Sequence, residues 1–182
     1  MNSFSTSPKS GSSKQELRKW AKEVRSTLDM QKVSKVLVKK LKQTREYQNA
    51  KNVMIFYPLK SEVNLLSLIE DETKNFYLPK IDGENLLCCK FDKDTELCES
   101  CFHTKEPVDK NIFIPDFIIV PALAVDKNNY RLGYGRGFYD RFLATYKNKC
   151  SLKTIVCIPK ELITETIFPN EYDIPVDLII TD

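Results

Sequence analysis

The sequence predicts an α/β fold: a single domain on a mainly parallel, open sheet, with helices on both faces and two N-terminal helices ahead of the first strand. Three observations predict it. Short apolar runs alternate with helical periodicities along the chain, the order expected of strand–helix–strand units. The strongest runs are continuous rather than alternating, as suits strands covered on both faces. The 182 residues suffice for one core without disulfide or metal staples, and no repeat or linker divides them.

The elements follow in order. Residues 1–12, rich in serine and lacking an apolar segment, read as a disordered tail rather than a secretory signal; the domain is expected over 13–182. Ser13-Lys14-Gln15-Glu16 has the form of a capping box. Leu17, Trp20, Ala21, Val24 and Leu28 then recur at helical spacing, and Val33, Val36, Leu37 and Leu41 repeat the pattern on a second basic helix. Asn52–Tyr57 is an apolar strand stopped by Pro58, and a short helix is expected around Leu65–Glu72. Strands are expected at Asn75–Ile81, ended by Asp82-Gly83, and at Leu86–Phe91. Residues 92–111 have mixed polarity and no clear pattern. Phe117–Val125 is the strongest strand signal. A glycine-rich turn precedes a helix from Phe138 to Lys147, and Thr154–Ile158 and Leu178–Thr181 supply the last strands.

Composition excludes several classes. A net charge of +3 suits an anionic small substrate but is weak for nucleic acid. No run reaches the ~20 apolar residues of a membrane span. The six cysteines are too sparse for a disulfide scaffold, so a cytoplasmic setting is expected. Cys98-Glu99-Ser100-Cys101 near Cys88-Cys89 invites a zinc reading. Adjacent strand cysteines face opposite ways, which counts against it.

The chemistry concentrates in one loop. Gly133, Gly135 and Gly137 are three of only five glycines, and they lie between the strongest strand and a helix. Alternate glycines permit positive φ and close backbone approach. The helix start beyond them favours anions, and Arg131 and Arg136 add full charges. The loop reads as a phosphate cradle, although it matches neither the Walker A nor the dinucleotide pattern. At this level the phosphate ligand is unspecified.

The stretch Arg131-Leu132-Gly133-Tyr134-Gly135-Arg136-Gly137-Phe138-Tyr139-Asp140 resembles the signature of 5-formyltetrahydrofolate cyclo-ligases, also called methenyltetrahydrofolate synthetases. Lys14-Gln15-Glu16-Leu17-Arg18, Tyr57 with Glu62-Val63, Glu106-Pro107, Phe117–Asp126 and Tyr172–Asp177 fall in the same order as in that family. The resemblance implies ATP- and Mg2+-dependent conversion of 5-formyltetrahydrofolate to 5,10-methenyltetrahydrofolate, with release of ADP and phosphate. By the same resemblance Lys14, Gln15, Glu16, Leu17 and Arg18 approach ATP, as do Arg131, Leu132, Gly133, Tyr134, Gly135, Arg136, Gly137, Phe138 and Tyr139. Tyr57, Glu62, Tyr134, Gly135, Arg136, Gly137 and Phe138 would meet the folate, with Arg18 nearby and Phe102 offering an aromatic face. Asp140 and Asp173 would hold Mg2+, and Arg18, Arg131 and Arg136 would carry the catalytic charge. The expected partners are folate and ATP, with no nucleic acid, no membrane and a monomeric state. Phe138 stands where the family often has tyrosine, and Ala122 and Val125 where glycine and phenylalanine are frequent.

Plainer readings exist for each charged position. Lys14 and Arg18 have the spacing of a solvated face, and Glu62 that of a helix-start carboxylate. Asp140 has Arg136 and Arg141 within a turn, and Asp173 precedes a proline as turn residues do. Two other functions compete: a different small-molecule phosphoryl-transfer enzyme, and RNA binding through Lys32, Lys35, Lys39, Lys40 and Lys42.

Overall fold

Helix α1 (Lys14–Ser26) begins at the expected capping box. Ser13 Oγ accepts from the Glu16 amide at 3.2 Å, and the Glu16 carboxylate accepts from the Ser13 amide at 2.7 Å. The computed structural model describes residues 12–147 and 151–182; residues 1–11, nearly all of the expected tail, lie outside the described residues. Helix α2 (Met30–Lys42) is capped by Asp29. A third helix, α3 (Arg45–Asn49), corrects the expectation of two. The extended backbone of Thr44 breaks the chain direction, and its hydroxyl accepts from the Tyr47 amide. A side-chain cap thus restarts the helix where no glycine or proline marks a break.

The strands run β1 (Asn52–Met54), β2 (Asn75–Asp82), β3 (Asn85–Phe91), β4 (Leu97–Glu99), β5 (Lys105–Pro107), β6 (Phe117–Ile119), β7 (Ala124–Asp126), β8 (Arg131–Leu132), β9 (Lys153–Ile158), β10 (Ile163–Thr164) and β11 (Leu178–Thr181). Helix α4 (Phe138–Tyr146) lies between β8 and β9. Six strands form the main sheet in the order β11-β9-β6-β1-β2-β3. Every pairing in it is parallel except β2–β3.

Three expectations change. The run from Phe117 to Val125 is two strands in different sheets, because Pro121 has no amide to donate and the chain turns there. The main sheet keeps β6, while β7 joins β8 and β10 in a three-stranded sheet. The first strand stops pairing at Met54, three residues short, leaving Phe56 and Tyr57 beyond the ladder. The helix expected at 65–72 is a single 3-10 segment, Leu66–Glu70. The unpatterned region holds the β4–β5 hairpin.

Alternation along the strands builds a core on each face. Met54, Ile118 and Val156 pack with Leu17, Trp20, Ala21 and Val24 of α1 and with Phe142 and Leu143 of α4. Val53, Ile55, Phe117, Ile119 and Ile155 pack with Val33, Leu37 and Leu41 of α2 and with Tyr47 of α3. Fully burying each such side chain contributes roughly 1.5–3 kcal/mol. The adjacent pair Cys88 and Cys89 is buried, Cys88 within the first core. Among the described residues no helix is long and apolar enough to cross a membrane.

Candidate functional site

A cleft of about 890 Å3 lies beyond the carboxyl ends of β1 and β6, bounded by Phe56, Tyr57 and Pro121. Ligands collect there in open α/β sheets. The early end of β1 therefore matters: unpaired, Phe56 and Tyr57 turn into the cleft.

The glycine loop forms one wall. Gly135 (φ 98°) and Gly137 (φ 70°) occupy conformations that side chains rarely adopt, whereas Gly133 has no positive φ. The three glycines therefore differ. A Cβ on Gly135 would lie 3.1 Å from Arg18 Nη2, and one on Gly137 would lie 2.8 Å from Arg141 Nη1; one on Gly133 would meet nothing within 4 Å. Arg18 Nε also donates to the Gly133 carbonyl at 2.9 Å. Arg18 thus lies flat against the loop backbone, and only a glycine at 135 lets it. Gly137 caps α4 without any side-chain bond, so the first amides of that nine-residue helix lack a side-chain acceptor and favour an anion.

Charge is arranged in pairs around this wall. Arg131, with its side chain 4% exposed, donates to Asp140 Oδ1 at 2.9 Å and to the Ile174 carbonyl at 3.0 Å. Asp140 Oδ1 also accepts from the Ile174 amide at 3.4 Å, which brings it to the segment carrying Asp173. Lys14 Nζ is 2.5 Å from Asp173 Oδ2. The same oxygen accepts from the Asn170 amide at 2.7 Å, so Asp173 is both a turn residue and an ion-pair partner. Asp140 is paired with Arg131, nine residues away, rather than with a neighbour on its own helix.

The other wall is carboxylate and aromatic. Glu62 is buried; its Oε2 accepts from the Leu59 amide at 2.8 Å and its Oε1 from the Tyr134 phenol at 2.7 Å. Tyr134 is 42% exposed as a residue, but enclosure of its hydroxyl end, then the charge and hydrogen bond of Glu62, push the phenol above its ordinary value. Burial and Glu62 also raise Tyr139, against the opposing charge of Arg131. Both phenols therefore stay protonated and able to donate. Phe102 and Phe138 meet edge-to-face at 5.8 Å, and the Arg136 guanidinium lies 5.5 Å from the Phe102 ring. Glu106 lines the cleft, held by the buried Lys80 at 3.4 Å and the Ile81 amide at 3.2 Å.

The cleft gathers Lys14, Arg18, Tyr57, Glu62, every residue from Arg131 to Asp140, and Asp173. Gln15, Glu16 and Leu17 stay apart. Leu17 is a core residue, Glu16 caps its own helix, and Gln15 is exposed on another face. Helical spacing explains this, since only Lys14 and Arg18 share a face one turn apart. Sequence reasoning missed Glu106 as a wall residue, Tyr172 at the rim and Arg25 behind the loop. Arg25 had a signal: eleven residues after Lys14 and seven after Arg18, it falls within about 40° of both around the helix.

The chain also matches known proteins. The model of the 5-formyltetrahydrofolate cyclo-ligase family matches residues 10–182. The 5-formyltetrahydrofolate cyclo-ligase of Haemophilus influenzae is 32% identical over 115 residues, which cover 57% of this chain and 62% of that enzyme. The match to this enzyme thus spans just under two thirds of its length. The probable 5-formyltetrahydrofolate cyclo-ligase of Schizosaccharomyces pombe is 29% identical over 170 residues, 82% of this chain and 79% of that one. The NMR structure of Aquifex aeolicus 5,10-methenyltetrahydrofolate synthetase superposes with a TM-score of 0.79 at 30% identity, covering 92% of this chain and 89% of that chain.

Proposed function

Because the chain belongs to the 5-formyltetrahydrofolate cyclo-ligase family, we propose that its cleft converts 5-formyltetrahydrofolate to 5,10-methenyltetrahydrofolate with ATP as co-substrate. The observation that carries this reading is the union of two half-sites in one cleft. The Arg18–Gly135 cradle, Arg131 and the uncapped start of α4 suit a triphosphate. Tyr57, Phe102, Phe138 and the Glu62 carboxylate suit a flat heterocycle bearing N–H donors.

Phosphoryl transfer depends mainly on positioning and charge stabilisation. Lys14, Arg18, Arg131 and Arg136 supply that charge. The formyl oxygen attacks the γ-phosphorus and ADP leaves. N10 then closes on the formyl carbon and gives up its proton, and the C–O bond breaks to release phosphate that carries the formyl oxygen and that proton. Glu62 accepts from the pterin donors and fixes its orientation, and the Phe102–Phe138 wall keeps water from the activated formyl carbon. No protein nucleophile is required.

Asp140 and Asp173 would hold the magnesium ion. Their oxygens are the hard donors it prefers, and the bond from the Ile174 amide to Asp140 Oδ1 brings the two carboxylates to one end of the cleft, where the ion would replace their contacts to Arg131 and Lys14. When bound, the ion neutralises and orients the phosphates. The deciding experiment follows the absorbance of the methenyl product on mixing protein, 5-formyltetrahydrofolate and Mg-ATP. A rise that needs all three supports the reading. No rise with ATP still bound would move the substrate to another small molecule.

A further inference from the structure

Arg25 is an anomaly. It lies in the last turn of α1 and is 3% exposed, yet no carboxylate among the described residues pairs with it. Its Nη2 donates to the Ala122 carbonyl at 2.6 Å, its Nη1 reaches the Tyr134 hydroxyl at a long 3.4 Å, and its buried Nε has no partner. A guanidinium this buried ordinarily sits against a carboxylate. The carboxylate it reaches is one step removed, because Tyr134 passes its own proton donor to Glu62 Oε1 at 2.7 Å.

We propose that Arg25 is a positioning residue for folate binding: it holds the Tyr134 phenol, and through that phenol it fixes the orientation in which Glu62 meets the substrate. This rests on the reading of Glu62 as the residue that accepts from the pterin. Each carboxylate oxygen has two acceptor sites. The Leu59 amide uses one on Oε2 and the Tyr134 phenol one on Oε1, so one on each oxygen remains for a pair of parallel N–H donors. Without the phenol the carboxylate keeps a single tether and can rotate. Arg25 directs the phenol by occupying its oxygen, which leaves the hydroxyl proton for Glu62. The same helix thereby serves both halves of the cleft, with Lys14 and Arg18 on the phosphate wall and Arg25 behind the folate wall.

Equilibrium binding of 5-formyltetrahydrofolate and of Mg-ATP to Arg25→Met, Tyr134→Phe and the double variant tests the proposal. Removing a hydrogen bond to a charged group weakens folate binding about tenfold in each single variant. Mg-ATP binding stays within about twofold in Arg25→Met, because Arg25 does not itself line the cleft. The double variant binds folate no worse than Tyr134→Phe alone, since the arginine acts through the phenol, and Arg25→Lys recovers part of the loss. Additive effects overturn the proposal. So does an Arg25→Met variant that lowers only the unfolding temperature. If Arg25→Met fails to fold, Tyr134→Phe with unchanged folate affinity still overturns it. Wild-type protein that binds no 5-formyltetrahydrofolate removes the reading of the cleft and the proposal together.

Discussion

Asp140→Asn separates a structural role from a metal role at one carboxylate. The substitution keeps shape and leaves an oxygen able to accept from Arg131, but removes the charge opposite a guanidinium whose side chain is 4% exposed. Breaking a fully buried pair costs about 3–5 kcal/mol. The Asp140 side chain is 25% exposed and the amide oxygen still accepts, so about 2 kcal/mol is expected here. For a chain of this size that lowers the unfolding midpoint by roughly 4–8 °C. The assay is thermal unfolding followed by circular dichroism, without ligand and then with saturating Mg-ATP. Wild type gains stability from the ligand by mass action; the variant starts lower and gains far less. A ligand-free midpoint within about 1 °C of wild type would refute the buried-pair argument. A destabilised variant that retains the full gain from Mg-ATP would instead refute the metal assignment.

Three further outcomes are expected. Gly135→Ala puts a side chain at φ 98° and 3.1 Å from Arg18, costing about 1–3 kcal/mol. Gly133→Ala, with nothing within 4 Å, leaves the unfolding midpoint unchanged, and equal midpoints for the two variants would sink the distinction. Burial pushes Asp177 up, but bonds from the Thr154 hydroxyl and amide, with Lys147 and Lys153, outweigh it and hold the carboxyl below its ordinary value. A depressed folded-state value stabilises above the ordinary value of ~3.9 and is lost as pH falls through the folded value. Thr154→Val therefore costs about 1 kcal/mol at neutral pH, discounted for exposure. Its gap from wild type in denaturant unfolding closes in acid, and a gap unchanged at pH ~3 would contradict this. Burial pushes the Cys157 thiol up to about 12 and the Cys88 thiol higher still. Peptide mapping after brief alkylation of the native protein should find the exposed Cys101 modified before the buried Cys88 and Cys157. Equal labelling of Cys157 would show that its core opens.

The legible part of this protein was local. The capping box at Ser13, the helical stripes, the continuous strands and the turn chemistry of a glycine cluster are all set by neighbours within a few residues. Each therefore appears in the sequence as spacing or composition. That is why an α/β sheet and a glycine turn leading into a helix could be predicted without coordinates. Membership of the cyclo-ligase family added residue roles that spacing alone does not supply.

Contacts between distant segments were decided by the fold. Lys14 meets Asp173 and Arg131 meets Asp140, whereas local rules paired Asp140 with its helix neighbours. Phe117–Val125 reads as one strand because both halves are apolar, but Pro121 and competition between two sheets divide it. Gln15, Glu16 and Leu17 stand inside a matching motif, yet the helix turns them away from the cleft. Arg25 looks like an ordinary basic residue until α1 docks and buries it against Ala122 and Tyr134. Sequence records what each residue prefers next to its neighbours. Which charges meet across the cleft depends on how the helices and sheets pack, and that is where the site is made.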